Sequence, residues 1–249
     1  MLDKIYAKLL LQKKRLSPFY RKYPPRFDIQ SLDQRIAVSH SYNYVYFRIP
    51  KAANSTIISS LYHAETQTLL SSREEMNNVK KNYFIKASTL SKQEVATLLA
   101  DYFKFTFVRN PYERIVSGFL DKIARIPFRS PKLEVAHYLN KDPNEAISFD
   151  EFLDYLGHGN GYQRNHHWAR QMDLLPVPAG QLDFIGKTEY LDKDLPRVLK
   201  RIFGNGHDVV NWRVNVTGAQ KQTGDLLNES RKKMIRRIYE CDFEAFGYE

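Results

Sequence analysis

The sequence predicts an α/β fold with a central parallel sheet flanked by helices. Residues 42–49 and 103–108 are apolar and rich in aromatic and β-branched residues, as buried strands are, and residues 182–189 form a third such segment with a polar end. Helical patterns alternate with these strands, and strands that are apolar on both faces are typical of parallel sheets covered by helices. A length of 249 residues suits either one domain with a full core or one domain plus a small appendage.

The chain divides into a short N-terminal part and a main domain. We expect residues 41–249 to form that domain and residues 1–40 to form an extension made of a helix and a linker. Leucine and isoleucine recur at helical spacing over residues 2–15, with lysines between them. The predicted helix either packs on the body of the protein or makes peripheral contact with a membrane surface. The Pro-Pro pair in residues 17–27 predicts a linker along the surface.

The overall composition is basic and poor in cysteine. The formal net charge is +10, from 38 Lys and Arg against 28 Asp and Glu, which attracts polyanions, although many basic proteins bind none specifically. The one cysteine, Cys241, excludes an intrachain disulfide or a cysteine-based zinc site and fits a reducing compartment. No stretch approaches the ~20 apolar residues that span a bilayer, and residues 1–15 lack the signal-peptide pattern. We therefore expect a cytoplasmic protein without a transmembrane segment.

The first candidate site is the loop of residues 50–56, PKAANST, between the strand at 42–49 and a helix. A loop from a parallel strand into a helix exposes unpaired N–H groups at the positive end of the helix dipole, which favours anions. Lys51 adds a positive charge, and Asn54 and Ser55 are both suitable helix caps. The glycine-rich loop of nucleoside triphosphatases, GxxxxGK[ST], is absent. An ordinary structural turn is the alternative.

The second candidate site follows the strand at 103–108. Arg109 stands at the end of that strand, where open parallel sheets bind ligands, and Ser117 lies two turns along the next helix. An arginine there suits bidentate binding of a phosphate. Arg109 could equally form an ion pair with Glu113, and Arg114 could either bind the same anion or face solvent.

The remaining segments predict mostly helices and surface loops. A capping box at Ser91 opens a helix over about residues 92–100. Residues 71–82 are polar and predict a surface excursion, whereas residues 126–147 contain three prolines and predict irregular structure. A basic helix is predicted over about residues 225–240, where the charge run is typical of a solvated face.

The two candidate sites together carry a resemblance to a known family. RIPKAANST, followed some fifty residues later by FVRNPYERIVSGFLDK, resembles the carbohydrate sulfotransferase family, whose vertebrate members work in the Golgi on glycans. Further matches follow in the order of that family: NHHWARQ, DFIGKTEYLDKDL and YECDFEAFGY. The resemblance covers about residues 42–248. The combination of the first two motifs is specific, whereas each later match is weak by itself.

The resemblance implies a P-loop-like sulfotransferase fold that uses 3′-phosphoadenosine 5′-phosphosulfate (PAPS) and no metal. The residues implied to hold the 5′-phosphosulfate are Lys51, Ala52, Ala53, Asn54, Ser55 and Thr56. Arg109 and Ser117 are implied to hold the 3′-phosphate. The loop at 213–224 carries the donors Asn215, Thr217 and Lys221, and it either closes over the nucleotide or is an ordinary surface loop.

Sulfuryl transfer resembles phosphoryl transfer, so positioning and electrostatics dominate, and Lys51 would stabilise charge on the leaving phosphate. The acceptor hydroxyl needs a general base, and histidine is the obvious type. We favour His167, which holds the His-Trp position of the family, followed by His63 and by a carboxylate such as Glu65 or Asp121. The neighbouring tryptophan of NHHWARQ either stacks on a sugar ring or fills the core.

These considerations predict transfer of a sulfuryl group to a hydroxyl of a carbohydrate, with the basic charge favouring an acidic polysaccharide and no nucleic-acid partner expected. The chain differs from the Golgi members in lacking a membrane anchor and paired cysteines, which favours a bacterial or cytosolic relative, cytoplasmic or peripheral to the inner face of the membrane. A nucleotide-dependent phosphoryl transferase is one alternative. A basic, non-catalytic polyanion-binding module is the other.

Overall fold

The computed structural model describes residues 2–124, 130–212 and 224–249. In chain order the helices and strands are α1 (Leu2–Arg15), α2 (Pro18–Lys22), α3 (Ile29–Asp33), β1 (Ile36–Ser39), β2 (Tyr44–Phe47), α4 (Asn54–Thr66), α5 (Arg73–Asn78), α6 (Lys92–Asp101), β3 (Phe103–Val108), α7 (Pro111–Phe119), α8 (Ser130–Tyr138), α9 (Phe149–Gly157), α10 (Gln171–Leu174), β4 (Phe184–Lys187), α11 (Leu191–Phe203), α12 (Glu229–Ile238) and α13 (Glu240–Phe246). Single π-helical turns follow α5 at Val79–Tyr83 and α7 at Leu120–Ala124.

The chain forms two compact units, each built from separate stretches of sequence. Unit 1 comprises Met1–Ile49, Ala53–Val108 and Asp173–Val214. Unit 2 comprises Pro50–Ala52, Arg109–Met172 and Asn215–Glu249.

Unit 1 contains a four-stranded sheet, among the described residues, in the order β1-β2-β3-β4. β2 pairs in parallel with β3, and β3 in parallel with β4, so the predicted α/β class is confirmed. β1 pairs antiparallel with β2 and was not predicted, because its four residues are too few for a clear pattern. It lies within the segment predicted to be an extension, so that part of the segment contributes to the sheet.

Aromatic packing supports the central strands. The rings of Tyr46 on β2 and Phe105 on β3 stack at 4.9 Å, and both side chains are fully buried. Apolar residues of α4 and α11, among them Leu61 and Leu199, complete the same core. The parallel pair β2-β3 is therefore buried on both faces, as the continuous apolar strands predicted.

The N-terminal segment is more ordered than the sequence suggested. Helix α1 confirms the helix predicted at residues 2–15, but the linker predicted at 17–27 is wrong over Pro18–Lys22, which forms α2. Phe19 is fully buried, and that burial outweighs the Pro-Pro pair that follows. Tyr6, Leu9 and Leu10 of α1 are exposed, and membrane contact through this helix stays a prediction. Along the described part of the chain, no helix has the length and apolar character to cross a membrane.

Two segments contain helices that the sequence did not predict, the surface excursion at residues 71–82 and the irregular stretch at residues 126–147. Residues 71–82 include α5 and the π-helical turn after it, and Met76 and Val79 anchor them as buried residues. Residues 126–147 include α8, where Pro131 stands in the first turn and does not interrupt the helix. In both cases a few buried apolar residues decide the structure within a polar sequence.

Unit 2 is helical in its described part and has its own core. Trp168 is fully buried against Phe152 and Tyr155, at centroid distances of 5.2 and 6.2 Å, and its indole N–H donates to the carbonyl of Gly161. Trp168 therefore fills the core and is not available to stack on a sugar ring. Gly161 lies against the end of α9, where an added Cβ would overlap the carbonyl oxygen of Tyr155.

This close approach predicts a difference between two glycine substitutions. Gly161→Ala should lower the free energy of unfolding by about 1–3 kcal/mol, because the methyl group meets a backbone atom that cannot rotate away. A methyl group at Gly180 would have no atom within 4 Å of it. Gly180→Ala should therefore change the free energy by less than about 1 kcal/mol. Urea unfolding of both variants measures this, and equal effects would contradict the packing described for Gly161.

Candidate functional site

The loop after β2 has an unusual backbone. Lys51 has φ 70° and Ala53 has φ 51°, both in the left-handed region that residues with a side chain rarely occupy. Helix α4 begins at Asn54, directly after Ala53, and no side chain caps its first turn. The N–H groups of that turn therefore keep their capacity to bind an anion.

The prediction that Asn54 and Ser55 cap this helix is wrong. The helix starts one residue earlier than a cap at Asn54 requires and two residues earlier than a cap at Ser55 requires, because both residues already belong to its first turn. The Oδ1 atom of Asn54 accepts from the hydroxyl of Tyr46 at 3.1 Å, and the hydroxyl oxygen of Ser55 accepts from Nζ of Lys80 at 2.8 Å. Each side chain is thus occupied elsewhere in unit 1, and the hydroxyl of Thr56 donates to the carbonyl of Trp212 at 3.4 Å.

Lys51 belongs to unit 2 and is held there by a carboxylate. Its Nζ lies 2.9 Å from Oδ2 of Asp121, and Nζ of Lys122 lies 2.9 Å from the same oxygen. Burial lowers the pKa of Lys51 to about 8, with Asp121 acting in the opposite direction and Lys122 and Arg109 adding to the decrease. Burial by itself would raise the pKa of Asp121, but the two lysines hold it below its usual value. A second anion beside Lys51 would therefore stabilise its charged form.

Arg109 is fixed at the start of unit 2 through its backbone. Its N–H donates to Oε1 of Gln171 at 3.0 Å, and its carbonyl accepts from Nε2 of Gln171 at 2.9 Å. The backbone N–H of Gln171 in turn donates to Oδ2 of Asp242 at 2.7 Å. The guanidinium of Arg109 pairs with Glu113 at 3.0 Å, as the alternative interpretation of this residue predicted. The ion pair is partly exposed, so it can be exchanged for a ligand at small cost.

Arg114 neither faces solvent nor is free to bind a ligand. It is 1% exposed, and its guanidinium donates to the carbonyls of Pro50, Ala169 and His166 at 3.0, 2.7 and 3.3 Å. Burial lowers its pKa. Arg114 therefore joins the residue before Lys51 to the segment that carries the candidate histidines.

His167 is half-buried in unit 2 and lies next to α7. Its ring is 4.2 Å from that of His166, and its backbone carbonyl passes close to Gly118, where a Cβ would lie at 3.5 Å. The backbone N–H of His167 donates to Oδ1 of Asn165, which fixes the turn. Ser117, the residue before Gly118, is buried on α7.

Two other base candidates, His63 and Glu65, lie in unit 1. His63 is half-buried on α4, and its Nδ1 is buried without a hydrogen-bond partner among the described residues. Glu65 accepts from the hydroxyls of Tyr44 and Tyr83 at 2.5 and 2.8 Å. Because that carboxylate already accepts hydrogen bonds from two tyrosines, it is a poor candidate for a base.

Sequence reasoning missed several residues of these surroundings. Lys80 lies in a segment whose polar sequence predicts a surface excursion, and Gln171 and Asp242 act only through contacts that are distant in sequence. The signal for the latter two was their place in the later family motifs, NHHWARQ and YECDFEAFGY. Asn215, Thr217 and Lys221 lie outside the described residues. Within the described ranges, no group of three or more histidine, cysteine or acidic residues is arranged to hold a metal ion.

Comparison with known proteins identifies the family of the chain. Residues 34–249 match the sulfotransferase family. Carbohydrate sulfotransferase 10 of Xenopus laevis and of Homo sapiens are each 29% identical, over 86% of this chain and 67% of theirs. Carbohydrate sulfotransferase 14 of Danio rerio is 26% identical, over 94% of this chain and 65% of its own. No solved structure matches the chain significantly.

The family match includes both strand-loop-helix motifs and the C-terminal segment whose Asp242 supports Arg109. The resemblance read from the motifs and the comparison over the whole length therefore agree. The chain belongs to the sulfotransferase family and is a sulfotransferase enzyme.

Proposed function

We propose that this sulfotransferase moves the sulfuryl group of PAPS to a hydroxyl of a carbohydrate, by in-line displacement. The observation that carries the proposal is the left-handed Ala53, which leaves the first turn of α4 uncapped two residues after Lys51. The similarity to proteins named carbohydrate sulfotransferases supports the acceptor class. PAPS is the donor that family membership implies.

The residues present suit an anionic donor. The uncapped N–H groups of Asn54, Ser55 and Thr56 favour a phosphate or sulfate, since backbone donors at a helix N-terminus suit anions. Lys51 has one carboxylate partner and a lowered pKa, so an additional anion stabilises its charged form. By resemblance, Ala52 and Ala53 let the backbone approach the phosphosulfate, and Arg109 and Ser117 bind the 3′-phosphate.

The chemistry assigned to these residues is mainly electrostatic. As the bond to sulfur breaks, negative charge grows on the leaving phosphate oxygen, and preorganised donors stabilise it without reorganising. Lys51 supplies the point charge for this step. Asp121 orients the ammonium at 2.9 Å and shares it with Lys122, so it acts as a positioning residue.

The general base remains a prediction with His167 as our first candidate. Asp121 already interacts with two ammonium groups, which holds its carboxylate in the ionised form but weakens it as a proton acceptor. Glu65 is bonded to two tyrosine hydroxyls. His63 stays the second candidate, because its buried ring nitrogen has no hydrogen-bond partner among the residues described.

We also propose an acidic polysaccharide as the acceptor, on the basis of the net charge of +10. The cytoplasmic location, the absence of a metal requirement and the contact of α1 with a membrane stay predictions. Transfer of label from PAPS to a panel of neutral and acidic polysaccharides, with and without a chelator, tests the acceptor and the metal together. No transfer to any carbohydrate would overturn the acceptor class.

Lys51→Ala should lower kcat for sulfuryl transfer by about 100-fold or more, because it removes a donor aimed at developing charge. His167→Ala should lower kcat while leaving binding of the product nucleotide unchanged. The measurement is transfer of radioactive sulfate from PAPS. Lys22→Ala, at an exposed position of α2, and His166→Ala are the matched controls. Full activity of Lys51→Ala would refute the assignment of the first motif.

The affinity for PAP, the desulfated nucleotide, should fall as the pH rises through about 8, the pKa of Lys51 in the free protein. The sign follows from the charge: below that pH the ammonium attracts the nucleotide, and above it the neutral amine does not. Calorimetric titration from about pH 7 to about pH 9.5 measures the effect. Lys51→Arg keeps its charge over this range, so its affinity should fall less. Identical pH profiles for the two proteins would contradict this role of Lys51.

A further inference from the structure

Arg48 is a buried cation with unused hydrogen-bonding capacity. It follows directly after β2, at the carboxyl end of the strand, and is 7% exposed. One terminal nitrogen of its guanidinium donates to the carbonyl of Gln34, whereas its Nε is buried and has no hydrogen-bond partner in the described structure. Leaving a buried donor of a charged group unpaired is costly, so such a group indicates a missing partner.

Three further cations surround Arg48 within unit 1, and we call the four residues the Arg48 cluster: Arg35, Arg48, Lys80 and Lys86. Nζ of Lys80 donates to the hydroxyl of Ser55 at 2.8 Å, and Nζ of Lys86 donates to the carbonyl of Lys80 at 3.2 Å. Arg35 donates to the carbonyl and hydroxyl of Ser31 at 2.6 and 2.8 Å. All these partners are neutral.

The cluster lacks a counter-charge. Among the described residues, no carboxylate oxygen lies within 4.0 Å of a nitrogen of the four side chains. Asp33 is the nearby acid that acts on Lys86, but its oxygens accept from Lys14, Tyr20 and Ser88. Asp28 acts on Arg35, and its Oδ2 accepts from the backbone N–H of Ser31.

The charges of the cluster oppose one another. Burial lowers the pKa of Lys80 and of Lys86 to about 8, and the charge of Arg48 adds to both decreases. Burial likewise lowers the pKa of Arg48 to about 10. Three of the four side chains are half-buried, so a ligand can reach them from solvent. An oxyanion placed among the four side chains would accept a hydrogen bond from Nε of Arg48. Its negative charge would also reduce the repulsion between the cations.

We propose that the Arg48 cluster is a binding site for an oxyanion, a carboxylate or sulfate ester, carried by the acceptor. The cluster adjoins the first turn of α4 through the contact of Lys80 with Ser55, a residue assigned by resemblance to the donor. An acceptor whose acidic group occupies the cluster is therefore held near the start of α4. The identity of the acceptor rests on the proposed function, whereas the anion site stands by itself.

The ligand chemistry could come from the acceptor or from the sulfuryl group of PAPS, and competition separates these sources. Inorganic sulfate is the probe, titrated into the whole chain by calorimetry, with chloride at matched ionic strength as the control for general salt effects. The titration is repeated at saturating PAP and at saturating PAPS. We expect saturable binding of sulfate that persists at saturating PAP and at saturating PAPS. Loss of all saturable sulfate binding at saturating PAP or PAPS would assign the cluster to the donor and overturn the proposal.

Lys80→Met and Lys86→Met keep the length and apolar stem of each side chain and remove its charge. Each should weaken sulfate binding by about tenfold, the loss expected for one charge-assisted hydrogen bond. Lys92→Met, at an exposed position of α6, is the matched control and should bind sulfate like the wild type.

Sulfate should raise the Tm of the wild type. Lys86→Met should raise the Tm in the absence of sulfate, because removing one charge relieves the repulsion between the cations.

With an acidic oligosaccharide that the enzyme sulfates, Lys86→Met should raise KM for that acceptor about tenfold and leave the Kd for PAP unchanged. With the carboxyl-reduced form of the same oligosaccharide, the wild type and Lys86→Met should have the same KM. Absence of saturable sulfate binding, or equal losses in Lys86→Met and Lys92→Met, would overturn the site. Failure of PAP to bind at all would instead refute the proposed function, while leaving the sulfate result to decide the cluster.

Discussion

The left-handed backbone at Ala53 determines how the chain passes from β2 into α4, and the electrostatic character of the loop follows from it. A left-handed residue with a Cβ costs about 1–2 kcal/mol, so it persists only where its surroundings impose it. Here the strand before it is buried, and α4 packs on the sheet through Ile57, Ile58 and Leu61. Since the helix begins directly after Ala53, the capping position carries a methyl group that cannot accept a hydrogen bond from the first turn.

Lys51 in this loop and the Arg48 cluster both have few acidic partners. Lys51 shares a single carboxylate with Lys122, and the Arg48 cluster has none in contact among the described residues. Such arrangements reduce stability, because buried charge without compensation raises the free energy of the folded protein. They are understandable if anions complete them, and the donor that we propose is one such anion. The acceptor is our candidate for the other.

The sequence allowed the fold class and the main motifs to be predicted because their signals are local. The strands β2 and β3 are continuous apolar runs, and the capping box at Ser91 marks the start of α6. The left-handed turn was not predictable, because the loop contains no glycine to indicate it. The roles of Arg114, Gln171 and Asp242 depend on contacts 52 to 71 residues apart in sequence, which no local pattern reports.

Lys80 and Asp121 share a further feature that explains why their contacts were hard to predict. Each lies in a π-helical turn that follows an α-helix, Val79–Tyr83 and Leu120–Ala124. Such turns redirect side chains relative to a regular helix and occur often at functional sites. Helical spacing alone therefore does not indicate the neighbours of either residue.

The central claim is that the chain binds a nucleotide with a 3′-phosphate, and calorimetric titration with PAP and with AMP tests it most directly. The two ligands differ in that phosphate, so the comparison isolates the role of Arg109. The account predicts micromolar binding of PAP, much weaker binding of AMP, and loss of this difference in Arg109→Ala but not in Arg21→Ala, an exposed control on α2. Equal binding of PAP and AMP, or binding of neither, would contradict it.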